Sequence, residues 1–136
     1  MRVSGFCELT LQAADPERAA RFYAEAFGLP VLERAPDRVW LGVGERARLG
    51  LWSPGAKEFG DRGGLHVHFA FAVPEGALEE LPERVRAAGG KVDGPHVHDG
   101  GDRSLYVTDP AGNVVEAWDF FDARDTSDLS EHGAAA

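Results

Sequence analysis

Polar and apolar residues follow one another along the first half of the chain in a pattern that predicts a strand, a helix and three more strands. Residues 6–14 alternate between polar and apolar side chains, which is typical of a half-buried strand. Apolar residues then recur at helical spacing over 16–27, between a capping Asp15 and a terminating Gly28. Three short apolar segments complete the half, at 29–34, 38–43 and 46–53.

The second half of the chain repeats this order of elements. Residues 65–73 alternate as a strand, residues 74–90 have helical spacing, and three further strands are predicted at 91–98, 102–109 and 113–120. Pro82 lies inside the helical segment, where proline cannot donate a backbone hydrogen bond. We therefore expect a short turn over 76–80 and a regular helix only after it.

Equivalent positions of the two halves can be paired by a nearly constant offset. Glu8 and His68 open equivalent strands, and Trp52 and Trp118 end equivalent strands, which places Gly50 opposite Glu116. Such duplication predicts an α+β fold in which two tandem βαβββ modules form a cupped, barrel-like mixed sheet with the helices outside.

The same pattern predicts the domain organisation. The modules occupy about 6–53 and 65–120, so residues 1–121 are expected to form a single domain. Residues 122–136 are predicted to be a polar C-terminal tail.

Composition limits the partners that this fold can have. The 136 residues carry a formal net charge of −9, which disfavours a nucleic-acid partner. No apolar run is long enough to span a membrane, and the N-terminus lacks the layout of a signal peptide. The single cysteine, Cys7, is typical of a reducing compartment, so a cytoplasmic protein is expected.

Alternation along the strands places several polar side chains on the sheet face that lies away from the helices. Small alanines flank these polar residues in the strand that carries His66 and His68, and they leave room beside them. This combination predicts a ligand cavity rather than a core. The face is predicted to carry Glu8, Thr10, Gln12, Trp52, His66, His68, Glu116 and Trp118.

His66 and His68 lie about 6.6 Å apart along an extended strand and can in principle reach one ion. With the carboxylates of Glu8 and Glu116 they would suit Fe, Mn, Ni, Co or Zn. A purely structural role for the two histidines is the alternative. The same spacing recurs at residues 96 and 98, where both histidines are predicted to lie on the surface.

Three stretches of the chain resemble a known superfamily. They are "ADPERAARFYAEAFGLPV", "HFAFAV" and "DRSLYVTDPAGNVVEAW". Together with the doubled βαβββ order they resemble the vicinal oxygen chelate superfamily, which includes glyoxalase I, extradiol dioxygenases, fosfomycin-resistance transferases and bleomycin-binding proteins. The resemblance covers about residues 6–120.

The resemblance implies a divalent metal held by Glu8, His68 and Glu116. His68 and Glu116 match ligand positions of the superfamily, whereas Glu8 stands where a histidine is usual, and Gly50 stands at a fourth position without a donor. Glu8 or Glu116 would also serve as the catalytic base. The residues expected to bind substrate are Thr10, Gln12, Trp52, His66, Ser104, Tyr106 and Trp118, although ordinary strand packing also explains Ser104 and Tyr106.

Two functions follow from this resemblance. The first is a metal-dependent enzyme in which the ion chelates neighbouring oxygens of a small molecule, with isomerase, lyase, dioxygenase or thiol-transferase chemistry. The alternative is a bleomycin-resistance-like protein that binds and sequesters a small molecule without catalysis, for which the acidic charge and the three tryptophans are suitable. A homodimer is expected in either case, because the open sheet faces must be covered.

Overall fold

The computed structural model describes Met1, Phe6 and residues 8–55, 69–98 and 100–119. The predicted α+β fold with two tandem βαβββ modules is confirmed. The first part of the predicted strand at 65–73, with His66 and His68, and the predicted tail at 122–136 lie outside the described residues. The elements are β1 (Glu8–Gln12), α1 (Pro16–Phe27), β2 (Val31–Ala35), β3 (Arg38–Val43), β4 (Ala47–Trp52), β5 (Phe69–Ala72), α2 (Ala77–Ala87), β6 (Lys91–Val97), β7 (Arg103–Thr108) and β8 (Val114–Trp118).

The described strands form two four-stranded sheets with the same topology. Sheet A has the order β1-β4-β3-β2, and sheet B has the order β5-β8-β7-β6. In each sheet the first strand is parallel to the last strand of its module, and the other pairs are antiparallel. Gly50 lies between Thr10 and Trp40, and Glu116 lies between Ala70 and Tyr106. The register thus places Gly50 and Glu116 at equivalent positions.

Helix α1 begins and ends where the sequence predicts. The Asp15 side chain accepts a hydrogen bond from the backbone N–H of Arg18 at 3.1 Å, and Pro16 occupies the first turn. Gly28 closes the helix with a φ of 73°, a conformation that glycine adopts without steric cost.

Helix α2 differs from the prediction. It is helical from Ala77 and contains Pro82, so the expected turn over 76–80 followed by a helix is wrong. Leu78, Leu81 and Val85 are buried at a spacing of three and four residues. Their burial offsets the backbone hydrogen bond that Pro82 cannot make, since each buried aliphatic side chain contributes about 1.5–3 kcal/mol.

The buried apolar side chains of both modules form one cluster among the described residues. It joins the apolar faces of both sheets to the inner faces of both helices. The ring of Phe22 from α1 occupies the space beside Gly90, which lies shortly after α2, and Tyr23 meets Phe71 of β5 edge to face at 6.3 Å between ring centroids. The polar faces of the two sheets are therefore the faces left for function.

Polar contacts also connect the modules, at the turn between β7 and β8. Tyr23 donates a buried hydrogen bond of 2.8 Å to Asp109 Oδ2. Asp109 Oδ1 accepts backbone N–H bonds from Ala111 and Asn113, both at 2.8 Å, which fixes the turn. The Asn113 side chain donates to the backbone oxygen of Gln12 at 3.0 Å. The "DPAGN" sequence thus has a structural role in this chain.

Candidate functional site

Glu116 is the buried carboxylate on the polar face of sheet B. It lies in the middle of β8 and is only 4% exposed. The indole Nε1 of Trp118 donates to Glu116 Oε1, and the hydroxyl of Tyr106 also hydrogen-bonds to Glu116. The hydrogen bond to Glu116 raises the pKa of Tyr106 above its ordinary value, with burial and the negative charge of Glu116 adding to the effect.

Glu116 has no cationic partner among the described residues; its hydrogen-bond partners there are an indole and a phenol. A carboxylate removed from water is costly unless a cation or several donors compensate it. Two neutral donors compensate it in part. The site is therefore suited to receiving positive charge or a hydrogen-bond donor.

A histidine and a serine extend this polar face beyond Trp118. His98 Nε2 lies 2.7 Å from Ser104 Oγ, and its ring stacks on Trp118 with 4.4 Å between centroids and 30° between planes. Ser104 is fully buried. The prediction that both histidines of the 96–98 pair lie on the surface is wrong for His98, which is half-buried by this stacking, and holds for His96, which is exposed.

The polar face of sheet A is occupied by arginine and tryptophan side chains. Arg48 is ion-paired with Glu8 at 2.8 Å, and its guanidinium lies 3.8 Å from the centroid of the Trp40 ring. Arg38 lies over Trp52 at 4.6 Å in the same way. The carboxylate of Glu8 and the indoles of Trp40 and Trp52 are thus all engaged with guanidinium groups on this face.

Gly50 lies beneath the two tryptophans of sheet A. A Cβ added there would lie 2.5 Å from Trp40 Cζ3 and 2.8 Å from Trp52 Nε1, so the indoles occupy the space of a side chain. The buried Nε1 of Trp52 has no hydrogen-bond partner within the described ranges. The fourth ligand position of the resemblance is therefore closed as well as lacking a donor.

One small apolar crevice connects the two sheets within the chain. Its volume is about 100 Å³, and its lining includes Leu9 and Arg48 from sheet A and Ala70 and Phe71 from sheet B. Arg48 is the ion-pair partner of Glu8, and Ala70 is the register neighbour of Glu116. The crevice therefore brings neighbours of both predicted carboxylate ligands to the same place.

Residues 8–117 match the family model described as a Glyoxalase-like domain. The chain belongs to this family. The resemblance to the vicinal oxygen chelate superfamily is thereby confirmed.

Solved structures of other proteins agree with this family assignment. Lactoylglutathione lyase from Agrobacterium tumefaciens is 29% identical, with coverage of 88% of this chain and 96% of that chain and a TM-score of 0.71. A glyoxalase-related enzyme from Fulvimarina pelagi is 27% identical, with coverage of 85% and 88% and a TM-score of 0.69. A glyoxalase/bleomycin resistance protein/dioxygenase family enzyme from Burkholderia phytofirmans PsJN, at 22% identity, coverage of 82% and 95%, and a TM-score of 0.72, shares the fold.

The predicted site residues of this glyoxalase-like protein fall on both sheets. Thr10 and Gln12 are exposed along β1 beyond Glu8, and Trp52 is half-buried at the end of β4. Ser104, Tyr106, Glu116 and Trp118 form one connected group on sheet B. His66 and His68 lie outside the described residues. No three His, Cys, Asp or Glu side chains within the described ranges form a group that could hold a metal, and no helix there is long and apolar enough to cross a membrane.

Sequence reasoning missed His98 and Trp40 as parts of the site. Alternation along β3 would have placed Trp40 on the polar face beside Gly50, which is a usable signal. The stacking of His98 on Trp118 depends on how the end of β6 curves over β8, and no residue pattern specifies that geometry.

Carboxylates are donors that divalent ions accept, and Glu8 on sheet A and Glu116 on sheet B are the two predicted ligands within the described residues. Glu116 is buried with neutral partners, as a ligand awaiting a cation would be. Glu8 is engaged with Arg48, but both side chains are more than 40% exposed, and such pairs contribute at most about 1 kcal/mol. A metal can therefore compete with Arg48 for Glu8. Gly50 supplies no donor at the fourth position of the resemblance.

Proposed function

We propose that this glyoxalase-like protein is a metal-dependent enzyme that acts on a small molecule with neighbouring oxygens. Glu8, His68 and Glu116 would hold the divalent ion, which can be Fe, Mn, Ni, Co or Zn. The observation that carries the proposal is the burial of Glu116 with two neutral donors and no described cation. The 29% identity to a lactoylglutathione lyase supports isomerase or lyase chemistry.

The residues around the ion would have different roles in the reaction. Trp118 and Tyr106 hold the carboxylate of Glu116, so this ligand is pre-oriented before anything binds. When bound, the ion supplies Lewis-acid polarisation of a substrate oxygen. Glu8 would take the proton, because its half-exposed carboxylate can move away from Arg48 towards a substrate. Thr10, Gln12 and Trp52 would contact the rest of the substrate.

Metal titration tests the proposal directly. Purified protein, stripped with chelator, is titrated with Co²⁺ by calorimetry, and Glu116→Gln is compared with wild type. We expect saturable binding by wild type and a loss of at least about tenfold in affinity for Glu116→Gln and for His68→Ala. Glu33→Gln, an exposed change on β2, is the matched control and should bind like wild type. Wild-type protein that binds no metal, or Glu116→Gln that binds equally well, would overturn the proposal.

A bleomycin-resistance-like sequestering role is not favoured. The tryptophans of the polar faces would suit it, but Trp40 and Trp52 are already covered by Arg48 and Arg38. A protein without metal or catalysis also gains nothing from burying Glu116. Metal-free protein that still binds a small aromatic ligand tightly would favour this second function.

We further propose that the protein is a cytoplasmic homodimer. Its polar sheet faces carry indole and guanidinium groups that a second copy could cover. In one such arrangement Glu8 and Glu116 of one chain would meet the partner's His68. Light scattering coupled to size exclusion should give twice the 14.6 kDa chain mass, and a monomer at micromolar concentration would contradict this.

A further inference from the structure

We propose that His98 is a positioning residue for Glu116 and acts through Trp118. This inference rests on the proposed function, because Glu116 matters as a metal ligand or acid–base group. It concerns a histidine that the sequence pattern placed on the surface without a role. Its basis is a series of side-chain contacts that runs from Ser104 of β7 through His98, the residue after β6, to Trp118 and Glu116 of β8.

The series begins at a buried hydroxyl. Ser104 of β7 is fully buried, so its Oγ has few partners available, and His98 Nε2 lies 2.7 Å away. A buried hydroxyl that loses its partner costs about 1–3 kcal/mol, which favours keeping the imidazole in place. Ser104 is also the register partner of Trp118. Ser104, which holds His98, and Trp118, which His98 contacts, are thus adjacent on neighbouring strands.

The imidazole then restrains the indole. The ring of His98 stacks on that of Trp118, with 4.4 Å between the centroids and 30° between the planes, so the imidazole packs against one face of the indole. In this orientation Nε1 of Trp118 points along its own strand to Glu116 Oε1. A hydrogen bond between side chains two residues apart on a strand needs such a fixed rotamer, since both side chains have other staggered positions available.

The hydrogen bond from Trp118 orients the lone pairs of the Glu116 carboxylate. An ionised carboxylate has about four acceptor positions, and the indole takes one of them on Oε1. With that oxygen fixed, the direction of the remaining lone pairs is defined before a ligand arrives. Removing the imidazole should let Trp118 change rotamer and leave Glu116 with Tyr106 as its remaining described hydrogen-bond partner.

Nuclear magnetic resonance of the indole N–H groups tests this in the metal-free protein. The chain has three tryptophans, so three indole signals are expected, and Trp118→Phe identifies that of Trp118. In His98→Ala the Trp118 signal should move and exchange with water at least about tenfold faster, while those of Trp40 and Trp52 stay in place. His98→Phe keeps an aromatic ring on Trp118 and should restore most of the protection.

His96→Ala is the matched control for these variants. His96 is exposed and pairs with Asp93 at 3.2 Å, with its ring against Tyr106 and not Trp118, so the Trp118 signal should not change. A Trp118 signal that is unaltered in His98→Ala, or one that His98→Phe fails to restore, would overturn the inference.

Cobalt titration separates this inference from the proposed function. If wild-type protein binds Co²⁺, His98→Ala should bind about tenfold more weakly and His98→Phe nearly normally. Equal affinity of His98→Ala and wild type would overturn the positioning role. If wild type binds no Co²⁺, the proposed function fails, while the indole signals still decide whether His98 holds Trp118 against Glu116.

Discussion

The environment of Tyr23 controls the ionisation of its phenol group. Its side chain is fully buried, and its hydroxyl donates to the carboxylate of Asp109. Burial raises the pKa of Tyr23 far above its ordinary value, and the charge of Asp109 and the hydrogen bond to it raise the pKa further. The phenol of the folded protein therefore stays protonated at pH values where an exposed tyrosine begins to ionise.

This shift predicts a specific loss of stability at alkaline pH. Above about pH 10 the unfolded chain releases the Tyr23 proton and the folded chain keeps it, so the free energy of unfolding falls by about 1.4 kcal/mol per pH unit. Tyr23→Phe lacks this contribution. At pH 8 the variant should be about 1–2 kcal/mol less stable than wild type in urea. The difference should shrink between pH 10 and 11, and a constant difference would contradict the assignment.

Gly50 allows a second prediction at the scale of one residue. An added Cβ would press on Trp40 and Trp52, so Gly50→Ala should lower the free energy of unfolding by about 1–3 kcal/mol. It should also shift the tryptophan fluorescence. Gly42→Ala on β3 is the control, because its nearest atom is Pro30 Cγ at 3.3 Å, and its loss should be smaller. Equal losses in the two variants would show that the indoles move aside freely.

The elements show why sequence predicted the fold well and the site less well. Helix α1 carries its own cap, proline and terminal glycine, so its bounds agree with the prediction. Strand positions followed from alternation, and the strand ends that fall within the described residues lie at most two residues from the predicted ends. The predicted start of helix α2 is wrong, because Leu78 and Leu81 are buried by tertiary packing, and the local rule for proline does not take such packing into account.

The site depends on relations between elements, which alternation only partly specifies. Period-two alternation correctly placed Glu116 and Trp118 on the same face. Alternation does not say that Arg48 would take Glu8 as its partner or that Trp40 would lie over Gly50. Such choices depend on side-chain rotamers and on the twist between neighbouring strands.

Helix α2 should become more stable when its proline is removed. In Pro82→Ala the amide N–H returns in the helix interior and can bond to the carbonyl of Leu78. We expect a gain of about 1–3 kcal/mol, reduced by the greater freedom of the unfolded chain. Pro74→Ala, outside the helix, is the control and should lose a few tenths of a kcal/mol. In urea unfolding, a Pro82→Ala variant no more stable than Pro74→Ala would mean that α2 is not regular through this position.

The whole molecule combines two similar modules through one described core. Apolar residues from both sheets meet those of both helices in a single cluster. Tyr23 to Asp109 and Asn113 to Gln12 add hydrogen bonds that connect residues far apart in sequence. A module separated from the other would expose this shared surface, so neither should be stable alone.

Unfolding of the two modules should therefore occur in one transition. Trp118→Phe leaves Trp40 and Trp52, both in the first module, as the fluorescent reporters, whereas far-ultraviolet circular dichroism reports on both modules. We expect the two signals to give the same urea midpoint in this variant. Adding Tyr23→Phe should lower both midpoints together, because the lost bond connects the modules. A fluorescence transition that precedes or follows the circular dichroism transition would show that the modules unfold independently, and the shared core would then contribute less than its burial indicates.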